Sequence, residues 1–112
     1  MTETAFWILT ALAAGRRHGY GVLNDVQRLS AGAVLLRVTT LYASLERLER
    51  EGWIHPAGEE VVDGRARRYY EISDIGRAAL ITEADRLAVR VAGARATTTS
   101  RVPRVVLSAV VV

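Results

Sequence analysis

The sequence contains no cysteine and no lysine. Without a thiol it can form no disulfide, no thiolate metal site and no Cys nucleophile, and such a composition suits a reducing cytosol. The two histidines, His18 and His55, stand far apart with no Asp or Glu at metal-ligand spacing, so no metal is expected. A Gly-rich phosphate loop is missing too, and Ser30, Ser44, Ser73, Ser100 and Ser108 have no His and carboxylate arranged to activate them. An enzyme is therefore not expected, and neither is a cofactor. The longest apolar run, Val105 to Val112 with Ser108 inside it, falls far short of the roughly 20 residues a membrane span needs. Met1-Thr-Glu-Thr4 lacks the charged-then-apolar order of a signal peptide. These absences predict a soluble cytoplasmic protein with no membrane partner.

What is present is a chain of 112 residues, 50% hydrophobic, enough to bury one small core with little left over to enclose an active-site cavity. All 15 basic residues are arginine, set against 12 acidic ones for a net charge of +3. That balance leans towards a nucleic-acid partner. Exclusive use of arginine reads first as a mark of GC-rich coding rather than of function, although arginine is also the better fork for phosphate and guanine. Its placement along the chain has to decide.

Three helical stretches come first. Ile8, Leu9 and Leu12 recur at helical spacing between Ala5 and Ala14, and Gly15 stops them. Val22, Leu23, Val26 and Leu29 form a second stripe that begins near His18-Gly19-Tyr20 and ends at Ser30-Ala-Gly32. Leu41, Leu45 and Leu48 form a third, closed by Gly52, with Ser44, Glu46, Arg47 and Arg50 turned outward. The period then changes: Trp53 to Val62 and Arg65 to Ser73 flank an Asp63-Gly64 turn, a strong hairpin signal. Tyr70 and Ile72 are expected on its core side. Ser73-Asp74 caps a last helix in which Leu80, Ala84, Leu87, Val91 and Ala94 repeat in steps of four and three, a heptad seam suited to a second copy of the chain. Thr97-Thr-Thr-Ser100 is read as the end of that helix. The apolar tail Val102 to Val112 either packs on the dimer or adds an edge strand, or else plugs a ligand cavity or recruits a partner.

This order predicts a mainly α fold with a small β-hairpin: a winged helix-turn-helix over residues 1–73, a dimerisation helix over 74–99 and a tail over 100–112. The third helix would enter the major groove of double-stranded DNA. Near its N-terminal end lie Arg37, Thr39, Thr40, Tyr42 and Ser44, with Arg47 one turn on, short polar or aromatic groups able to approach base edges. Arg65, Arg67 and Arg68 follow the hairpin turn, where a wing needs cations for phosphate. The start of the second helix, with His18 and Tyr20 and with Arg16 and Arg17 close by, offers free backbone N–H groups to a phosphate. Each reading has a plainer alternative. Tyr42 could be a core aromatic, the wing arginines a solvated edge, and Trp7 and Trp53 simple anchors of core or interface. Glu46, Glu49 and Glu51, on a helix rich in arginine, read as solvated i, i+4 pairs.

Ile8-Leu-x-Ala-Leu-x-x-Gly15, His18-Gly-Tyr20, Thr40-Leu-Tyr42, Leu45-x-Arg-Leu-Glu-x-x-Gly52 and Gly64-Arg-x-Arg-Arg-Tyr-Tyr70 leading into Ile75-Gly-Arg77, in this order and spacing, resemble the PadR family of winged-helix transcriptional regulators. The resemblance implies that Thr40 and Tyr42 belong to the start of the recognition helix, that Arg65, Arg67 and Arg68 contact DNA from the wing, and that Tyr20 lies near the DNA backbone. Family members usually carry Gly before Thr-Leu-Tyr and often Pro after it; here Thr39 and Ala43 stand there, so base preference does not transfer. Short members dimerise through the first and last helices, and some hold flat apolar compounds between them on aromatic side chains. Here the last helix offers only Ala84, Leu87 and Val91 for that purpose, leaving Phe6 and Trp7, with Leu87, as the candidate ligand contacts; Phe6 also counts as an interface residue. The expected function is a homodimeric repressor of a palindromic operator, released by a small apolar or aromatic effector. The competing expectation is a protein-interaction module that dimerises without specific DNA binding, which would have no need of the basic wing.

Overall fold

The computed structural model describes residues 1–99, so the Val102 to Val112 tail and its expected roles lie outside the described residues. Helix α1 spans Glu3–Ala13, strand β1 Arg17–His18, α2 Gly19–Leu29, α3 Val38–Arg50, β2 Ile54–Val62, β3 Arg65–Ile72 and α4 Asp74–Thr99. Each of the first three helices buries one stripe: Ile8, Leu9, Ala11 and Leu12 from α1, Val22 and Val26 from α2, Leu41, Leu45 and Leu48 from α3. Ile54 and Tyr70 close this core from the sheet side, and Trp53 and Ile72 pack half-buried against it, as expected for both. Burying each leucine stabilises the fold by about 1.5–3 kcal/mol, which is why the spacing of these residues dominates the helix positions.

The hairpin turn falls where the sequence places it. Asp63 and Gly64 have φ of 51° and 76°, both left-handed as a type I′ turn requires. Yet the sheet has three strands, in the order β1-β3-β2, where the sequence suggests two. Arg17 and His18 pair with Tyr70 and Tyr69, a ladder too short to leave a period-2 signature. The pairing ties the α1–α2 connection to the base of the wing. Strand β2 lies at the edge, where Pro56 needs no donor, and a bulge between Pro56 and Glu59 is turned by Gly58 at φ 107°.

Helix α4 leaves this body. Of its 26 residues only Gly76 is buried, while Leu80 and Leu87 are half-buried and Ala84, Val91 and Ala94 are exposed. Leu80 packs on the core of its own chain, so the apolar row serves two purposes: its first member docks α4 and the later ones face outward. Ile75, Ile81 and Val89 are exposed as well. The helix includes Thr97–Thr99, where the Thr97 and Thr98 hydroxyls donate to the carbonyls of Gly93 and Ala94, one turn back. Lower down the helix, two hydrogen bonds from Arg86 at 2.8 Å, backed by its charge, hold the Glu83 carboxyl below its ordinary pKa.

Candidate nucleic-acid interface

Depressions lie on both flanks of α3. A cleft of about 670 Å³ opens between the start of α2, the near side of α3 and the wing, lined by His18, Tyr20, Tyr42, Arg65, Arg67, Arg68 and Tyr70. On the outer side of α3 a shallower one is lined by Thr39, Thr40, Ala43, Ser44 and Arg47. At about 100° per residue, Tyr42 leans towards the wing while Thr40, Ser44 and Arg47 lie on the opposite flank of the buried stripe. The candidate residues thus fall into two groups along one face, with Arg37 exposed at the N-cap of α3. Ser44 is only half-buried among Met1, Thr2, Ala5 and Leu48, a more confined position than its sequence spacing suggests.

Tyr42 and Tyr20 are 47% and 53% exposed, which places both rings at the surface rather than in the core. Tyr42 lies over Gly19, so closely that a Cβ there would sit 2.7 Å from the phenol oxygen. Glycine at position 19 therefore sets the approach of Tyr42 to the start of α2. Tyr70 beneath is buried, and that burial raises the pKa of its phenol.

His18 has a defined local task. It is the N-cap of α2, its Nδ1 accepting from the Gly21 N–H at 3.3 Å, and its ring stands edge-on to Tyr69 at 5.5 Å. Histidine is not among the favoured caps, so the sequence carries no strong sign of this role. Arg16 and Arg17, placed near a phosphate by their sequence position, are used internally. Arg16 stacks over the Tyr69 ring at 4.2 Å and donates to the Ala57 carbonyl at 2.8 Å; Arg17 pairs with Asp25 at 3.1 Å and donates to the Arg16 carbonyl. Tyr69 in turn donates to Glu60 at 2.9 Å, a bond that raises its pKa. This clasp, on the sheet face opposite Tyr70, fixes the wing against the helices.

The wing cations divide. Arg65 and Arg67 are exposed and make no ion pair among the described residues, whereas Arg68 reaches Glu49 on α3, Nη2 to Oε1, at 3.7 Å. Only one of the α3 acids forms an i, i+4 pair with arginine: Glu46 with Arg50 at 3.4 Å. Glu49 is drawn across to the wing, which no helical spacing could show.

Phe6 and Trp7 meet edge-to-face at 5.3 Å, and the Trp7 indole N–H donates to Glu3 at 3.4 Å while its ring packs on the core. Neither residue lines the cleft beside the wing or the depression on the outer flank of α3. Among the described residues no group of three or more His, Asp or Glu is placed to hold a metal ion, and no helix is long and apolar enough to cross a membrane.

Three helices, a paired wing and a projecting fourth helix match known proteins. The profile of the transcriptional regulator PadR-like family matches residues 8–82, more than half of the chain. The chain belongs to the PadR-like family. This PadR-like chain is 42% identical over 74 residues to the transcriptional regulator Rv3488 of Mycobacterium tuberculosis, covering 66% of the chain and 52% of that relative. It is 32% identical over 73 residues to an uncharacterised protein of Lysinibacillus sphaericus, covering 65% and 67%. In the Mycobacterium case the match thus spans about half of the relative's length. A crystal structure of a PadR family transcription regulator from Clostridium difficile superposes with a TM-score of 0.70 at 18% identity, over 88% of the PadR-like chain and 99% of that one. Bacillus subtilis PadR in complex with operator DNA superposes at 0.65 and 20% identity, over 73% and 46%. At such identities the superpositions speak for the winged-helix fold. The family is one of transcriptional regulators, non-enzymatic as a kind.

Proposed function

We propose that the protein is a homodimeric, sequence-specific DNA-binding repressor of the cytoplasm, acting on a palindromic operator. The observation that carries this reading is the cleft between α3 and the wing, where two exposed tyrosines and Arg65 and Arg67, unpaired among the described residues, stand beside a helix whose outer flank presents Thr39, Thr40 and Arg47. Cations without internal partners supply non-specific affinity, and short polar side chains on a groove-sized helix supply readout. Arg37, Thr39, Thr40, Tyr42, Ser44 and Arg47 read bases; Tyr20, Arg65, Arg67 and Arg68 hold the backbone, with His18 shaping the start of α2 beside them. That a superposable relative is described in complex with operator DNA supports the same use of this face.

The test is fluorescence anisotropy against the upstream DNA of the protein's own gene and a scrambled duplex, titrated over salt. Tight binding to the first, with weaker and steeply salt-dependent binding to the second, is the expected result. Absence of binding at low salt would shift the weight to a protein-interaction module.

Dimerisation is proposed to use Leu87, Val91, Ala84 and Ala94 of α4 with Phe6 and the α1 surface, Leu80 anchoring the helix to its own body. Because Val91 is 50% exposed within its chain, Val91→Arg leaves the monomer fold intact and tests the seam alone. Analytical ultracentrifugation is expected to show a folded monomer for the variant and a dimer for the wild type; a variant that remains dimeric would place the interface elsewhere. A small apolar or aromatic effector held near Phe6, Trp7 and Leu87 would release DNA by favouring a dimer whose recognition helices are wrongly spaced.

A further inference from the structure

We propose that Glu49 is a brake on DNA binding: its carboxylate occupies Arg68, so that this wing arginine reaches a phosphate only by giving up its internal partner. The inference rests on the reading of the α3–wing cleft as the DNA surface. Arg68 lies on the border of two spaces. One is the tyrosine-lined cleft with Arg65 and Arg67; the other is a smaller recess whose wall is formed by Glu46, Glu49 and Arg50 of α3. Its guanidinium sits over the buried Tyr70 ring at 5.6 Å, which supplies a fixed platform from which the planar fork can turn to either side.

The pair with Glu49 has the character of an exchangeable contact. Its 3.7 Å separation exceeds the roughly 2.7–2.9 Å of a tight charge-assisted hydrogen bond. The two side chains are 55% and 37% exposed, so water and salt reach both. Arg16 and Arg17 differ, since each gives a hydrogen bond to a backbone carbonyl and so belongs to the fold. Arg50 is taken by Glu46 on the same helix. Among the described residues, the wing therefore carries two cations without an ion-pair partner, Arg65 and Arg67, and one that is conditional. Carboxylate and phosphate compete for the same donor fork, so a phosphate engages Arg68 only by displacing the Glu49 carboxylate from it. Since the competition concerns backbone phosphate, it lowers affinity for every duplex alike and leaves the ranking of sequences to α3.

Glu49→Gln keeps the shape of the side chain and removes its charge. Binding to a fluorescein-labelled duplex of random sequence is expected to tighten about threefold to fivefold at low salt, the scale of an exposed ion pair. The log–log salt slope is expected to steepen by up to about 0.9, one more phosphate neutralised. In an Arg68→Ala background the same substitution is expected to change nothing, because the brake acts only through Arg68. A gain that persists in that background would reduce the effect to bulk charge and overturn the brake. Equal or weaker binding by Glu49→Gln, with the wild type binding normally and the melting curve unchanged, would show that Glu49 positions Arg68 and would overturn it likewise. If the wild type binds no duplex at all, the parent reading fails first and the brake with it.

Discussion

Replacing Arg65 and Arg67 together by alanine is expected to weaken binding to any duplex about 10–100-fold near physiological salt and to flatten the log–log salt slope by roughly 1.8, because each arginine neutralises one phosphate. The fold should be untouched. Both side chains are exposed on the wing, neither makes an ion pair among the described residues, and the Asp63-Gly64 turn before them owes its shape to its own backbone. The wing keeps its position because the clasp of Arg16, Tyr69, Glu60 and His18 holds the other face of the sheet. Anisotropy titrations at several salt concentrations measure both quantities, and circular dichroism checks the fold. Retention of full affinity and an unchanged slope would remove the wing from the DNA surface. Discrimination between operator and scrambled duplex should survive, since the readout groups on α3 are intact.

Gly76→Ala is expected to destabilise the protein by about 1–3 kcal/mol, the usual cost of forcing extra volume into a packed site, and to lower Tm by roughly 5–20 °C. At this point α4 lies against the start of β2 with no space between the backbones. A Cβ on residue 76 would fall on the Trp53 carbonyl oxygen and come within 3.1 Å of Ile72 Cγ1. Neither neighbour can step aside. The Trp53 carbonyl accepts from the Ser73 N–H at 2.9 Å, while the Ser73 hydroxyl accepts from the Gly76 N–H at 3.0 Å and donates to the Gly52 carbonyl at 2.6 Å. Relief requires α4 to shift as a unit, and that shift would carry Leu87 and Val91 away from the proposed dimer seam. Thermal melts followed by circular dichroism test the stability, with Gly93→Ala as control. Gly93 has open space among the described residues and lies inside α4, so its change is expected to leave Tm equal or higher. Equal Tm for Gly76→Ala and wild type would mean that α4 is not held by this contact.

Much of this molecule can be read from residue spacing. The buried stripes of α1, α2 and α3, the hairpin turn and the cap at Ser73 all arise from contacts within a few residues, where periodicity and turn chemistry apply. The exposure of Tyr42 follows from its position next to a buried leucine, and the structure agrees. The failures share one cause. Strand β1 is only two residues long and exists because Tyr69 and Tyr70 are available to pair with it. Arg16 and Arg17 look like free cations until Ala57, Tyr69 and Asp25 are brought beside them, and Glu49 looks like a helical surface acid until the wing folds over α3.

By itself, then, the sequence determined the order of helices and strands, the core stripes, the winged-helix fold and membership of a family of transcriptional regulators, because each of these is encoded in local period and ordered motifs. Only the tertiary structure decided which of the arginines face the cleft unpaired, which are consumed in holding the wing, and which one is shared with Glu49. Charge is a property of a residue, but its availability to a partner depends on what long-range folding places within about 4 Å of it, and no spacing rule reaches that far.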